Sequence, residues 1–278
     1  MNAVISVVGA MAACLAVPSD AAKFERDGWA MQPAAGCVPR IEQVDARPTY
    51  DAQARAELAR DPLMRLKPDY HDMPAHLRFD LGACYGEPGM FDASLRVLPV
   101  DAYRRIQDDG RAPGTHLSTM FGELRSWIAA GPDAIADWPM VPYLDMSPQF
   151  TVQRRALHFR GGQGIRVVTQ FVPDVGFATS RLVSYVFQGL TDDGRTFVLM
   201  TVPLTLTGAA DADAVEHLGF TFEQIEKHEG ARRYEKAVGA LIAKHGVKPS
   251  LAELDALLES LAGDSQRHGL RVAAPPSR

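Results

Sequence analysis

Long apolar runs, a surplus of one charge and clusters of reactive side chains are all missing from this chain of 278 residues. Its net charge of −5 leaves no basic field, so nothing electrostatic favours a nucleic-acid partner. The longest uncharged apolar stretch, residues 3–17, is too short to span a bilayer, so no transmembrane helix is expected in the mature chain. No G-x-S-x-G elbow, Walker loop, G-x-G-x-x-G turn or H-E-x-x-H helix occurs. Gly161-Gly162-Gln163-Gly164 joins two strand-like runs instead of opening a helix, so it lacks the geometry that cradles phosphate. Asp192-Asp193-Gly194 lacks the further oxygen ligands of a calcium loop and reads as a hairpin turn. His71-Asp72 and His76 lie in a proline-containing loop without fixed ligand geometry, and His217 and His228 with Glu216 and Glu226 read as a solvated helix face. The expectation is therefore no metal, no cofactor and no identified catalytic residue.

Cysteine is scarce too: Cys14, Cys37 and Cys84 are the only three. Cys14 falls in the apolar run 3–17, which is followed by Pro18 and the small-residue stretch Ser19-Asp20-Ala21-Ala22. That arrangement has the length and small-x-small ending of a secretory signal over 1–22, although no Lys or Arg precedes it. Lipoprotein attachment through Cys14 is the lesser alternative, because Met11 is a poor residue three before the cysteine. Cleavage would leave two cysteines, Cys37 and Cys84, and an even pair in an oxidising compartment is expected to bond. Closing that loop would stabilise the fold by about 3–4 kcal/mol in the chain-entropy account.

What the chain does contain is strand sequence, densest over 151–207. TVQRRALHFR, GIRVVTQFV, RLVSYVFQGL and RTFVLMTVPLTL are rich in β-branched and aromatic residues and are separated by Gly, Asp or Pro. They read as a four-stranded antiparallel meander whose third and fourth strands, apolar on both faces, lie centrally under cover from both sides. HLRFDL at 76–81 and SLRVLPV at 94–100 add N-terminal strands, the proline marking an edge or a strand end. Helices are predicted over 49–60, over 102–109 with Asp101 as N-cap, over 116–130, less clearly within 211–227, over 229–245, and after Ser250, where Ser-x-x-Glu253 makes a capping-box pattern. Residues 133–150 read as a proline-rich loop over the sheet. The fold class is α+β: an antiparallel sheet packed by helices, one domain over 23–263 with a flexible tail at 264–278.

If the glycine turn pairs Arg160 with Gly164, His158 faces Arg166 and Arg154 faces Gln170. Period-two alternation then places all four on one face. Two guanidinium groups and an imidazole there suit a carboxylate or phosphate ligand. A merely wet sheet face explains the same pattern.

The order HLRFDL, SLRVLPVDAY, LHFRGGQGIRVVTQF, SYVFQGLTDDGRTFVLMTVPL and KPSLAELDALLESL resembles a group of exported bacterial proteins without assigned function. That group shares a glycine-turn strand pair ending in Thr-Gln-aromatic, an FQGLTxDG hairpin and a closing Leu-rich helix. The resemblance spans 79–261, and 187–194 is its most specific part. Where that group carries an Asn-rich segment, this chain has Gly176-Phe177-Ala178-Thr179-Ser180. The resemblance implies export and a shared fold, and it carries no activity. The strand–helix order also looks like the layered α+β fold of the extrinsic P-subunit of photosystem II, a likeness of fold only.

Three functions are consistent with these observations. The first is an exported, non-catalytic cell-envelope or periplasmic binding or accessory protein with an unidentified envelope ligand or protein partner. The second is an exported enzyme, a hydrolase, with a site between the sheet and loop 133–150. The third is a module that docks a larger envelope assembly through exposed leucines of the 251–261 stripe.

Overall fold

The structure is a computed structural model that describes residues 23–46, 53, 60, 73–86, 90–108, 116–134, 141, 146–179, 182–207 and 218–263. The expectations for 1–22, for His71-Asp72 and for the 264–278 tail lie outside the described residues, as do most of the 49–60 helix and most of 135–145.

Seven strands form one antiparallel sheet. They are β3 (Arg40–Val44), β4 (His76–Asp80), β5 (Ser94–Pro99), β6 (Ser147–Phe159), β7 (Gly162–Val172), β8 (Ser184–Thr191) and β9 (Thr196–Pro203). Their order across the sheet is β3-β4-β5-β9-β8-β7-β6. The meander is therefore one side of the sheet, and β5 joins it to the N-terminal strands by pairing with β9 from Ser94↔Thr201 to Pro99↔Thr196. β8 and β9 are buried at every position, as strands apolar on both faces should be when both faces are covered. Pro99 ends its strand, one of the two places expected for it.

Alternation along these strands sends side chains to two separate cores. Tyr185, Phe187, Val198 and Met200 join one, and Val186, Leu190, Phe197 and Leu199 join the other. The first core is closed by α5 (His228–His245) through Tyr234, Val238 and Ile242, and by α6 (Leu251–Glu259) through Leu254, Leu257 and Leu258. α2 (Val100–Asp108) and α3 (His116–Ala130) close the second through Tyr103, Met120, Phe121 and Leu124. Two short helices, α1 (Gly82–Tyr85) and α4 (Phe222–Ile225), and a 3-10 turn at Pro132–Ala134 complete the helical set described. The fold is α+β with an antiparallel sheet between helical layers.

Local chemistry sets the helix ends. Ser250 caps α6, its hydroxyl accepting from the Glu253 N–H. Gly246 ends α5 in a positive-φ conformation. Asp101 lies in the first turn of α2, where its carboxylate faces the positive end of the helix, instead of preceding it as a cap. The short α4 has a full capping box between Thr221 and Gln224. The Leu-rich stripe of α6 turns inward: Leu254, Leu257, Leu258 and Leu261 are all buried. This removes the exposed leucines on which docking through that helix depended.

A small three-stranded sheet brings the two ends of the described chain together. β1 (Phe24–Arg26) pairs with β2 (Trp29–Met31), and β12 (Ala262–Gly263) pairs with β2 on its other side. A two-stranded pair, β10 (Thr205–Leu206) with β11 (Val247–Lys248), ties the end of the meander to the end of α5. Cys37 and Cys84 form the expected disulfide, which holds the turn before β3 to α1.

The segment 187–194 owes its composition to the fold. Gly164 and Gly189 lie opposite each other on β7 and β8, and the Phe187 ring lies over both. A Cβ at Gly164 would stand 2.3 Å from the Gln188 carbonyl oxygen and 2.5 Å from the Phe187 ring. The Gln188 amide oxygen accepts from the Val141 N–H at 2.8 Å. The Asp193 carboxylate accepts from the Thr191 hydroxyl and the Arg195 N–H, and Gly194 closes the turn at φ 67°.

Candidate functional site

The four residues expected to share a polar face do not share one. The turn between β6 and β7 is shorter than the pattern implied. Phe159 pairs with Gly162, so Arg160 and Gly161 alone make the turn, with Gly161 at φ 91°. His158 consequently faces Gln163, and it is Arg155 that faces Arg166. Phe159 and Leu157 enter the first core, so alternation turns His158 to the opposite face, where it is exposed. Register shifts between Pro148 and Thr151 and between Val152 and Arg155 move Arg154 out of line with Gln170.

Arg166 is instead the centre of an ion cluster inside the protein. Its side chain and that of Asp255, on α6, are 6% and 4% exposed. Arg166 Nη2 donates to Asp255 Oδ2 at 2.9 Å and Nε to Oδ1 at 3.2 Å, a bidentate pair. The Tyr185 hydroxyl donates to Asp255 Oδ1 at 3.1 Å, and Arg155 Nη1 reaches Oδ2 at 2.9 Å from the surface side. Arg166 Nη1 also donates to the Gln153 carbonyl, which the bulge presents by holding Gln153 at φ 54°. Burial, and then the Asp255 carboxylate, push the Tyr185 phenol well above its ordinary pKa, so it stays a donor. A fully satisfied cluster of this kind anchors α6 to the sheet and leaves no site for a ligand on Arg166.

The other two predicted residues serve similar ends. Arg154 Nη2 reaches Glu235 of α5 at 3.3 Å, while the Thr151 hydroxyl and N–H donate to the same carboxylate at 3.2 and 3.1 Å. Gln170 donates to the Phe177 carbonyl at 2.9 Å and accepts from the Thr179 N–H at 2.8 Å, fixing the connection to β8. Arg154, Arg166 and Gln170 thus act as internal struts, and His158 alone faces outward. One signal for this was present in the sequence. Asp255 sits on the leucine stripe of its helix, between Leu254 and Leu258, and an acid on a buried stripe needs an internal cation.

Two further titratable groups are perturbed. His76 is buried on β4, with Nδ1 2.8 Å from the Pro74 carbonyl oxygen. Burial lowers its pKa to about 4; the Pro74 carbonyl opposes that shift, while the Arg96 and Arg78 charges add to it. Its ring is neutral at physiological pH. Tyr85 is raised by burial and by the Glu253 carboxylate.

Open depressions lie at the hairpin tips. One of about 530 Å³ is lined by Lys23, Glu25, Arg160, Asp192, Asp193 and Gly263. Another, of about 360 Å³, lies between Arg125, Gln163 and the 191–194 turn. Both mix charges of opposite sign and neither encloses a catalytic set. Among the described residues no three His, Cys, Asp or Glu side chains stand together as metal ligands, and no helix is long and apolar enough to cross a membrane. No family model, no curated protein and no solved structure matches the chain.

Proposed function

We propose that this protein is an exported, non-catalytic binding or accessory module of the cell envelope or periplasm. The observation that carries the reading is the Cys37–Cys84 disulfide. Such bonds persist in oxidising compartments, and here the bond accompanies an N-terminal run with the features of a secretory signal. The resemblance centred on 187–194 points the same way. The binding reading is preferred to the hydrolytic one because neither open depression at the hairpin tips encloses a catalytic set; the Arg154–Arg166 face expected to hold the ligand is withdrawn from that reading. Arg166 and Arg154 are committed to Asp255 and Glu235.

Intact mass of the protein from the periplasmic fraction, with and without reductant and thiol alkylation, tests the proposal. The expected result is a chain starting near Ala22 whose two thiols become reactive only after reduction. A full-length cytosolic protein with three free thiols would sink it. Turnover of simple ester, peptide or glycoside substrates by the same preparation would move the assignment to the hydrolase reading.

A further inference from the structure

The two edges of the seven-stranded sheet are finished differently. β6 is tied to α5 at Thr151 and Gln153, which bond to Glu235 and to the Gly239 carbonyl, and Arg160 just past its end pairs with 261–263. β3 is the other edge. The Leu81 N–H donates to the Ala93 carbonyl at 2.9 Å, so Leu81 points toward β5. Backbone groups alternate in direction along a strand, so Asp80, Arg78 and His76 point the other way, to their β3 partners Arg40, Glu42 and Val44. Ile41 and Gln43 therefore turn their N–H and C=O groups outward. Among the described residues, the group that reaches this outer side is the Arg26 guanidinium, which donates to the Ile41 carbonyl at 3.2 Å. Its side chain is 45% exposed, and an exposed bond of this kind is exchanged for one to water at little cost.

The side chains of β3 make the strand its own complement. Ile41 packs at the rim of the first core, so alternation puts Arg40, Glu42 and Val44 together on the opposite face. Arg40 and Glu42 are 3.0 Å apart there, with side chains 77% and 25% exposed. Val38, two residues before Arg40, is 65% exposed, the most of any large apolar side chain among the described residues. A two-fold antiparallel pair must match outward-pointing residues with one another. Centred on Ile41, it sets Arg40 of each copy against Glu42 of the other, Ile41 against Ile41 and Val38 against Val44. Centred on Glu42, it sets carboxylate against carboxylate, and centred on Gln43 it leaves Arg40 and Glu42 without opposite charges. Charge therefore selects both the occupant and the register. The paired Ile41 residues exchange their hydrogen bonds, and the Gln43 N–H of each copy meets the Pro39 carbonyl of the other. Pro39 has no N–H to leave unpaired, which suits an edge. We propose that β3 is a self-association edge, where a second copy of this chain pairs antiparallel over residues 38–44 about a two-fold axis at Ile41, continuing the sheet across a dimer. This interface depends neither on the compartment nor on a ligand.

Sedimentation velocity of the full protein over a concentration series, with amide hydrogen exchange at both ends of that series, tests the proposal. The expected result is a reversible monomer–dimer equilibrium, with exchange at Ile41 and Gln43 slowed in the dimer. Arg40→Glu and Glu42→Arg each set like charges opposite one another and should each weaken dimerisation about tenfold or more. Mixed in equal amounts, the two variants should dimerise with each other, because both cross-strand pairs are then of opposite sign. Glu42 also accepts from Arg78 at 3.2 Å. Should Glu42→Arg fail to fold for that reason, Arg40→Glu combined with Val38→Asp, both at exposed side chains, serves instead and should leave the protein monomeric. A monomer at every concentration, a dimer whose slowed amides lie elsewhere, unchanged affinity in Arg40→Glu, or no association between the two folded variants would overturn the proposal.

Discussion

The two faces of the central sheet bury polar groups in different ways. Toward α5 and α6, the sheet buries charge and cancels it: Arg166 against Asp255, with Tyr185 and Arg155 completing the set. Toward α2 and α3, the centre of the sheet keeps its polar groups neutral. The Thr169 hydroxyl donates to the Phe150 carbonyl, that of Thr201 to the Asp92 carbonyl, and Gln188 accepts from Val141. His76, on this second face, is held uncharged, with Arg96 and Arg78 nearby toward the β3 side. A paired charge fails when its partner is deleted, because the remaining ion is stranded in a poor solvent. A neutral buried base fails when protons are added. The comparison teaches that one sheet can have two independent weaknesses.

The largest effect should come from stranding Arg166. Asp255→Ala is expected to cost about 3–5 kcal/mol, read as a lower urea midpoint, because a buried guanidinium loses its only bidentate partner. An unchanged midpoint would mean that the first face does not depend on its charges.

Acid should strike the second face. His76 has its folded pKa lowered to about 4 from an ordinary 6.5. The unfolded chain therefore binds the proton more readily than the folded one between those values. The stability from keeping this ring neutral is complete above about pH 6.5 and is lost as pH falls toward 4, to a total of about 3 kcal/mol. Denaturation curves of the protein and of His76→Gln over that window should converge at low pH; parallel curves would remove His76 from the account.

Between these and a null effect lies Gly164→Ala on the first face. A methyl there meets backbone oxygen and the Phe187 ring inside 3 Å, and a destabilisation of about 1–3 kcal/mol is expected in thermal or chemical unfolding. The smallest effect belongs to the helix covering the second face. Gly122 lies within α3 with nothing within 4 Å of an added Cβ, so Gly122→Ala should stabilise by about 0.5–1 kcal/mol. A loss there would show that α3 is more tightly enclosed on its outer side.

Much of the architecture was legible because it is local. The strand runs of the meander, the α3 boundaries at 116 and 130, the Ser250 cap and the pairing of Cys37 with Cys84 follow from patterns within a few residues or from simple counting. The candidate site was not, for two reasons. Its register depended on whether the Arg160–Gly164 stretch turns in two residues or more, and on bulges near Thr151 and Gln153 that leave no compositional mark. Its partners came from far away: Arg166 meets Asp255 across a separation of 89 residues, so a face that looks wet in strand sequence is dry once α6 arrives.

The small sheet at the chain ends has a temporal consequence. β2 is complete only when β12 lies beside it, and the Trp29 ring lies where a Cβ on Gly263 would stand 2.3 Å away. One of the earliest described strands therefore waits for some of the last described residues. A chain emerging from its N-terminus cannot seal Trp29 until nearly all of the described fold has followed. With Trp127 and Trp138 replaced, Trp29 emission thus becomes a clock for the final step of assembly.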